Sequence, residues 1–355
     1  MENKKVLVAM SGGVDSAVAA FLIKEAGHET AGITMKLWSE TEKVTDIDNG
    51  IPDENSSDAK RITDQLGIPH HTVSLGDSFR CSVINRFLND YKNGKTPNPC
   101  IECNKHIKFG ALYEKALELG YGTLATGHYA RVEKCGDSLF LKRAADSAKD
   151  QTYFLWRLSE DMLGNILFPL GELTKSEIRE IAASQGFSNA HRSDSQDICF
   201  IPDGDYVSFI KRESDIVEIP GDYINLRGDI IGRHEGIIRY TIGQRKGLGM
   251  AFGQPMFVGD KNADNNTVTL CTDLELYKKE VEASEINLFS RDLFEGEHRV
   301  LAKIRYRHDP SPATLRVCGE DRIKIIFDDP QRAPSAGQSL VLYDGDCLLG
   351  GGIII

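Results

Sequence analysis

The chain has 355 residues, 41% hydrophobic and 27% charged, a composition typical of a globular protein with two or three domains. Its 42 basic and 53 acidic residues give a formal charge of -11, which disfavours a nucleic-acid partner on average but leaves room for a local basic patch. Eight cysteines are too few for a disulfide scaffold in a chain of this length. Because no apolar run is long enough for a signal-peptide core or a membrane span, we expect a cytoplasmic protein with no membrane partner.

The N-terminal half alternates strand-like and helix-like segments. The predicted strands are Lys4–Met10, Thr30–Leu37, His71–Leu75 and Thr123–Thr126. The predicted helices are Ala17–Ala26, Ser57–Leu66, Phe79–Tyr91, Asn104–Leu119 and Lys175–Gln185, the last with a capping box formed by Thr174 and Glu177. This alternation predicts an α/β fold with a doubly wound parallel sheet, whose ligands bind at the carboxyl ends of its strands. The polar stretch Ser39–Ser57 is predicted to be a surface loop.

The pattern changes after about Asp205. Helical spacing fades, glycine becomes more frequent and short β-like runs appear, with a hairpin turn predicted at Asn262–Asn266. The last seventy or so residues alternate apolar and polar positions more clearly, which is typical of a small antiparallel barrel. We therefore predict three domains: residues 1–204 with the parallel sheet, a β-rich central domain over 205–285 and a β-barrel over 286–355.

A glycine-rich loop, SGGVDS, follows the first strand and precedes the first helix. Backbone amides and a helix N-terminus in this arrangement can surround an anion, although a tight turn would have the same sequence pattern. The loop lacks the lysine of GxxxxGK[ST], the motif that grips terminal phosphates. Ser11, Asp15 and Ser16 instead suit a pyrophosphate with its Mg²⁺ while the α-phosphate is attacked, and that chemistry is adenylation.

The loop resembles the pyrophosphate loop of the N-type ATP pyrophosphatases (the PP-loop superfamily), which implies an adenine-nucleotide hydrolase-like N-terminal domain. Within that group, an ordered series of motifs resembles the tRNA-specific 2-thiouridylases across nearly the whole chain. The series is TPNPCIECNKHIKFG, TGHYAR, KDQTYFL, SDSQDICFI, TIGQRKGLG, IRYRH and YDGDCLLGGG.

The resemblance implies a tRNA-uridine 2-sulfurtransferase that replaces the C2 oxygen of the wobble uridine in the anticodon loop of tRNA with sulfur. ATP would adenylate that oxygen and release pyrophosphate, after which sulfur from a cysteine persulfide would expel AMP and leave 2-thiouridine. ATP and Mg²⁺ are the implied cofactors. A cysteine desulfurase or a sulfur-relay protein is the implied sulfur donor, and the β-rich domains would bind the body of the tRNA.

The resemblance also implies site residues. The expected catalytic thiols are Cys103 and Cys199, with the persulfide on Cys199 and Cys103 either freeing sulfide from it or closing a disulfide with it. The expected nucleotide contacts are Ala9, Met10, Ser11, Gly12, Gly13, Val14, Asp15, Ser16, Met35 and Gly127, although Met35 fits core packing nearly as well. The expected contacts to tRNA are Asn98, Pro99 and Cys100 around the target base, and His128, Lys149, Asp150, Gln151, Arg305, Tyr306 and Gln338 elsewhere.

Cys100 departs from the form of the family best known for persulfide chemistry, in which an aspartate stands three residues before the catalytic cysteine. The substitution leaves the general acid or base unassigned. It also creates a C-x-x-C pair, so that Cys100, Cys103 and Cys199 are alternative ligands for a [4Fe–4S] cluster that carries sulfide. A structural zinc site completed by His106 or His128 is a third hypothesis. A helix N-terminus near Lys105, His106 and Lys108 is expected to lower the pKa of Cys103.

Two rival functions remain open. An adenylating synthetase of the same loop class that acts on a small molecule would need neither Cys103 nor Cys199. A non-enzymatic iron–sulfur or zinc module that binds RNA would release no pyrophosphate in the presence of tRNA. The sequence alone leaves open the tRNA species, the identity of the sulfur donor, the oligomeric state and the domain motions.

Overall fold

The computed structural model describes residues 3–37, 54–135, 138–190 and 198–355. The chain forms two compact units: residues 1–83, 100–196 and 346–348 in the first, and residues 84–99, 197–345 and 349–355 in the second. Most of the predicted loop Ser39–Ser57 and residues 193–197 of the SDSQDICFI motif lie outside the described residues.

The first unit contains a parallel sheet. Its strands and an adjoining hairpin are β1 (Lys5–Ala9), β2 (Glu29–Lys36), β3 (His70–Ser74), β4 (Thr123–Ala125), β5 (Ala130–Cys135), β6 (Ser138–Arg143) and β7 (Ile166–Leu167). Among the described residues, five strands pair in the order β3-β2-β1-β4-β7, each pair parallel. The side chains of Val6, Leu7 and Val8 are fully buried because helices cover both faces of such a sheet. The predicted doubly wound parallel sheet is confirmed.

The described helices of the chain are mostly short. They are α1 (Val14–Glu25), α2 (Glu54–Leu66), α3 (Gly76–Phe79), α4 (Asn85–Lys92), α5 (Pro99–Glu102), α6 (Leu112–Glu118), α7 (Glu160–Leu163), α8 (Lys175–Ser184) and α9 (Tyr206–Glu213). Short 3₁₀ turns occur at Thr152–Phe154, Ile237–Arg239, Leu274–Leu276 and Arg291–Phe294. The capping box predicted at Thr174 and Glu177 is present at the start of α8. None of the described helices is both long and apolar enough to cross a membrane.

Two predicted helices differ from the structure. The helix expected over Phe79–Tyr91 is interrupted by a π-helical segment, Arg80–Ile84. The helix expected to begin at Asn104 begins at Pro99, and it continues as a π-helical segment over Cys103–Ala111. Proline is favoured in the first turn of a helix for two reasons. The N–H that it lacks would have no partner within the helix there, and its fixed φ already suits a helix. Cys100 therefore lies in the first turn, and Cys103 lies one turn further along.

The second unit is rich in strands. They are β8 (Gly221–Ile224), β9 (Ile230–His234), β10 (Phe257–Asn262), β11 (Thr267–Cys271), β12 (Tyr277–Leu288), β13 (Glu297–Lys303), β14 (Ser311–Val317), β15 (Arg322–Arg332), β16 (Ser339–Asp344) and β17 (Cys347–Ile354). A small sheet has the order β10-β11-β8-β9, and the turn predicted at Asn262–Asn266 joins β10 to β11. Helix α9 lies in a region where the sequence predicted no helix.

A closed antiparallel barrel ends the chain. Over the described C-terminal residues, six strands follow the order β12-β15-β14-β13-β16-β17, and β17 pairs back with β12. Closure leaves no free edge between the strands, and the inward-facing side chains fill the interior with a core that includes Leu315, Ile325 and Phe327. The predicted C-terminal barrel is confirmed.

Candidate active site

The glycine-rich loop Ser11–Ser16, which we call the phosphate loop, connects β1 to α1 at the carboxyl edge of the parallel sheet. Gly12 has a φ of 74°, a conformation that favours glycine, and Gly13 precedes the first residue of α1. The Ser16 hydroxyl donates to the Gly13 carbonyl (3.0 Å) and accepts from the Ser11 amide (3.3 Å). These bonds fold the loop around the N-terminus of a twelve-residue helix, where backbone amides attract an anion.

Asp15, in the first turn of α1, is paired with a buried lysine. The Lys175 ammonium, at the start of α8, lies 2.7 and 2.9 Å from the two Asp15 carboxylate oxygens. The Tyr129 hydroxyl donates to the same carboxylate at 2.7 Å. Lys175 is only 8% exposed, so its ammonium is largely desolvated, whereas the Asp15 side chain is 31% exposed. The phosphate loop, which lacks a lysine in its own sequence, thus has one beside it from a distant helix.

A buried asparagine supports the same loop. The Asn189 side-chain amide donates to the Gly12 carbonyl at 2.9 Å, and its own oxygen is buried with no hydrogen-bond partner among the described residues. Gly127, just beyond β4, packs against the start of α1: a Cβ there would lie 3.0 Å from the Asp15 carbonyl carbon and the Ser16 nitrogen. Met35 lies near the end of β2, half-buried. The carboxyl ends of β1, β2 and β4 therefore bring the predicted nucleotide residues to one edge of the sheet.

The predicted thiols of the first unit differ in environment. Cys103 is buried, whereas Cys100 reaches solvent. Enough protein nevertheless surrounds Cys100 that desolvation raises the pKa of its thiol, and the positive charge of Lys108 opposes that rise to a smaller extent. Cys100 is therefore a neutral thiol at neutral pH.

Buried polar contacts hold the helix that carries these thiols. The Glu102 carboxylate pairs with the Arg157 guanidinium at 2.6 Å, and both side chains are less than a tenth exposed. The Asn104 side-chain amide donates to the Phe154 carbonyl at 3.0 Å. The segment 154–157 thus fixes the orientation of the thiol helix, which we define as residues 99–111.

His128 is a buried, neutral imidazole next to this helix. The Lys108 ammonium donates to His128 Nε2 (3.3 Å), so Nδ1 carries the proton and donates to the Thr126 hydroxyl (2.8 Å). Burial, with a smaller contribution from Lys108, holds the pKa of His128 well below its usual value. The His128 ring also packs against Phe109 and Phe168. These apolar neighbours favour the uncharged form of the imidazole.

The predicted tRNA contacts Lys149, Asp150 and Gln151 form one turn. The Asp150 carboxylate is buried, and it accepts hydrogen bonds from the Ala144 amide and the Thr152 hydroxyl. Gln151 exchanges two bonds with the Tyr129 backbone, at 2.9 and 3.0 Å. The buried Asp150 carboxylate thus stabilises the turn through its hydrogen bonds. Gln151 joins the turn to Tyr129, whose hydroxyl donates to Asp15.

The remaining predicted residues belong to the second unit. Cys199 is exposed, and the adjoining Phe200 packs edge-on against Phe87. Asn98 is half-buried and Pro99 is buried. Arg305 and Tyr306 follow β13, and Gln338 lies just before β16. The contacts of this unit bring Gln338 to the segment that precedes Asn98, because the Gln338 side-chain amide donates to the Thr96 carbonyl at 2.8 Å.

The described side chains include the three candidate metal ligands Cys100, Cys103 and Cys199. Across these residues, no three His, Cys, Asp or Glu side chains are arranged to hold a metal ion. The described residues therefore contain no preformed site for a cluster or a zinc ion. A magnesium ion that arrives with a nucleotide needs only one or two carboxylates, and Asp15 fits that requirement.

Three family models together match nearly the whole chain. They are described as a tRNA methyl transferase HUP domain over residues 4–203, a tRNA methyl transferase PRC-barrel domain over 208–272 and an aminomethyltransferase beta-barrel domain over 278–354. A curated relative, the tRNA-specific 2-thiouridylase MnmA of Clostridioides difficile (strain 630), is 47% identical over 99% of this chain and 98% of its own length. The chain belongs to the tRNA-specific 2-thiouridylase family. The family predicted from the ordered motifs is confirmed.

Other 2-thiouridylases match to a similar extent. The enzyme named tRNA-specific 2-thiouridylase MnmA from Acetivibrio thermocellus is 44% identical with complete coverage of both chains. The one from Clostridium botulinum (strain Alaska E43 / Type E3) is 44% identical over 100% of this chain and 98% of its own. The likeness therefore includes the catalytic domain and both β-rich regions of a 2-thiouridylase.

Sequence reasoning missed three residues at the phosphate loop of this 2-thiouridylase family member. Lys175, Tyr129 and Asn189 all contact the loop, but they lie more than a hundred residues from it along the chain. A signal was available for two of them. Lys175 directly follows the capping residue Thr174, and Tyr129 is part of TGHYAR, which ends at the same sheet edge.

Proposed function

We propose that this chain is an ATP-dependent tRNA-uridine 2-sulfurtransferase that thiolates C2 of the wobble uridine. The observation that carries the proposal is the full-length match to tRNA-specific 2-thiouridylases, at 47% identity for the relative from Clostridioides difficile. The substrates would be a tRNA anticodon loop, ATP with Mg²⁺, and sulfur delivered by a cysteine desulfurase or a relay protein.

The first step is adenylation of the C2 oxygen. That oxygen attacks the α-phosphorus of ATP, the bond to the β-phosphate breaks, and pyrophosphate leaves. The loop amides and the α1 N-terminus would hold the departing phosphates, with Asp15 as a carboxylate ligand for the accompanying Mg²⁺. The Lys175 ammonium, 2.7 Å from Asp15, would neutralise charge that develops on the pyrophosphate.

The second step transfers sulfur. The terminal sulfur of a Cys199 persulfide attacks C2, the C2–O bond breaks, and AMP leaves with the bonding electrons. The Cys103 thiolate then attacks the Cys199 sulfur, which releases the 2-thiouridine and forms a Cys103–Cys199 disulfide. In the alternative order, Cys103 attacks the persulfide first and the hydrosulfide so released attacks C2. Either order ends in the same disulfide, which a thiol reductant must reopen.

Cys100 fits the role of a neutral proton donor better than that of a cluster ligand. Desolvation raises the pKa of its thiol, whereas a cluster is held by thiolates. Its position in TPNPCIEC is the one that holds an aspartate in the form of the family best known for persulfide chemistry. We expect Cys100→Asp to keep most of the activity, and Cys100→Ser to lose more.

The test measures 2-thiouridine in unmodified tRNA, under anaerobic conditions, with ATP and a cysteine desulfurase plus cysteine. Wild type should form product, and Cys103→Ser and Cys199→Ser should form none. Cys318→Ser is the matched control, since Cys318 is an exposed thiol of the barrel. Absence of product from wild type with a competent donor would overturn the thiolation proposal. Full 2-thiouridine formation by both thiol variants would refute the persulfide route through Cys103 and Cys199, and pyrophosphate release without any 2-thiouridine would favour an adenylating synthetase of another substrate.

The iron content of the same samples tests the cluster alternative. The persulfide route predicts activity in protein that contains no stoichiometric iron. Iron bound in proportion to activity, and lost together with activity in Cys100→Ser, would instead support a cluster on Cys100, Cys103 and Cys199.

A further inference from the structure

The C-terminal barrel contacts the segment that leads into the thiol helix. We define the barrel loop as Ala333–Gln338, between β15 and β16, and the entry segment as Lys95–Asn98, between α4 and Pro99. The Thr96 amide donates to the Ala336 carbonyl at 2.8 Å. The Gln338 side-chain amide donates back to the Thr96 carbonyl at 2.8 Å. Thr96 is thus held by the barrel loop on both of its backbone polar groups.

A glycine makes this approach possible. Gly337 has a φ of 90°, and a Cβ at that position would lie 2.9 Å from the Thr96 nitrogen and 3.0 Å from both the Thr96 oxygen and the Lys95 Cβ. The 2.9 Å distance is shorter than real Cβ contacts and the 3.0 Å distances are tighter than most of them, and two of the three atoms are backbone that cannot rotate away. Any side chain at residue 337 would therefore push the entry segment from the barrel loop.

The barrel loop is itself fixed in place. The Gly337 amide donates to the Ile354 carbonyl, and the Ile354 amide donates to the Gln338 carbonyl, at 2.9 and 2.8 Å. The Arg305 guanidinium donates to the Ala333 carbonyl (2.5 Å) and to the Ser335 hydroxyl (3.2 Å). Two residues that the family resemblance assigns to tRNA, Arg305 and Gln338, are thus both engaged in the contacts that order this loop.

We infer that Gly337 and Gln338 are positioning residues, which fix the entry segment so that Asn98 and Pro99 are presented to the target uridine. The inference rests on the proposed function, because it takes Asn98 and Pro99 as part of the target-base pocket. It assigns Gln338 a role through Thr96, not a direct contact with tRNA. A displacement of about 1 Å in such a segment lowers turnover without removing any group that binds substrate.

The test compares Gly337→Ala and Gln338→Ala with wild type in steady-state thiolation and in hydrogen exchange. Both variants should lower kcat for 2-thiouridine on the order of tenfold to a hundredfold. Both should leave the KM for tRNA within about twofold of wild type. Peptides that contain Thr96 should exchange faster in both variants, because each change loosens the contact that protects the Thr96 amide: Gly337→Ala by a clash with the Thr96 backbone, and Gln338→Ala by loss of the bond to the Thr96 carbonyl. The double variant should be little worse than either single one, because both changes release the same contact.

Gly345→Ala is the matched control. Gly345 is a barrel glycine with a φ of 55°, and a Cβ added there would meet no atom within 4 Å, so this change adds similar backbone strain away from the entry segment. It should leave exchange at Thr96 and kcat unchanged. Thermal unfolding of each variant checks folding, and Gln338→Ala, which adds no steric clash, keeps the test valid where Gly337→Ala does not fold.

Three results would overturn the inference. A raised KM for tRNA in Gln338→Ala alone would make Gln338 a direct tRNA contact. Unchanged exchange at Thr96 in both variants would mean that the barrel loop does not hold the entry segment. Faster exchange with unchanged kcat would mean that the contact does not position the reaction. Failure of the proposed function is distinguishable, because wild type itself would then form no 2-thiouridine while the exchange data would still report the contact.

Discussion

The phosphate loop and the thiol helix lie in the same unit, yet they control charge in opposite ways. At the phosphate loop, the Asp15 carboxylate and the Lys175 ammonium form an ion pair at 2.7 Å. Beside the thiol helix, desolvation raises the pKa of Cys100 and lowers that of His128, so both groups are neutral. The difference matches two chemical tasks. Under the proposed function, the ion pair would face the polyphosphate of ATP, and the neutral groups would face the uncharged target base.

Removal of the buried cation should have the largest effect. In Lys175→Met the Asp15 carboxylate loses its ion-pair partner and the departing pyrophosphate loses a positive charge. We expect tRNA-dependent pyrophosphate release to fall about 10²- to 10³-fold. Persulfide formation on Cys199 should continue, because the thiols do not take part in adenylation.

The control for this change is Lys60→Met, which removes a lysine whose partner, Asp64, is on the same exposed helix face. Thermal unfolding of both variants separates lost chemistry from lost fold, because breaking a buried pair also costs stability. Unchanged pyrophosphate release in folded Lys175→Met would show that the paired charge is structural only.

Loss of the ion pair under the thiol helix should have the next largest effect. Glu102→Ala leaves the buried Arg157 guanidinium without its 2.6 Å partner. We expect the free energy of unfolding to fall by about 3 kcal/mol, the low end for a broken buried pair. Denaturant unfolding measures it. Lys115→Ala, which removes an exposed pair with Glu118, should cost less than about 1 kcal/mol. Equal losses in the two variants would refute the anchoring role.

The smallest effect concerns the neutral histidine. The folded pKa of His128 is below the unfolded value, so the unfolded chain binds the extra proton and stability falls as pH drops below about 6.5. Between pH 7 and pH 5.5, wild type should lose about 1 kcal/mol more stability than His128→Gln. His70, His234 and His308, whose pKa values are also lowered, are present in both proteins and cancel in the difference. Parallel pH profiles would mean that His128 titrates normally.

The sequence predicted those elements that depend on local signals. The capping box at Thr174 and the turn at Asn262–Asn266 each involve residues three or four apart, and both are present. The predicted start of the thiol helix at Asn104 was wrong, because the helix begins five residues earlier at Pro99, a residue type that suits the first turn of a helix. The π-helical segment Cys103–Ala111 has no propensity signal.

The candidate site divides in the same way. Ser11–Ser16 could be predicted because a strand, two glycines and a helix occur in sequence. The partner of Asp15 could not, since Lys175 is 160 residues away and reaches the loop only after α8 packs beside α1. A lysine at a helix start is ordinary in a sequence. Its burial against a carboxylate is a property of the fold.

The most direct test of the central claim is the product balance of ATP in the presence of tRNA and a sulfur donor. The account predicts one AMP and one pyrophosphate for each 2-thiouridine formed, and neither product without tRNA. Release of ADP and phosphate, or pyrophosphate release that is independent of tRNA, would contradict adenylation of the tRNA at the SGGVDS loop.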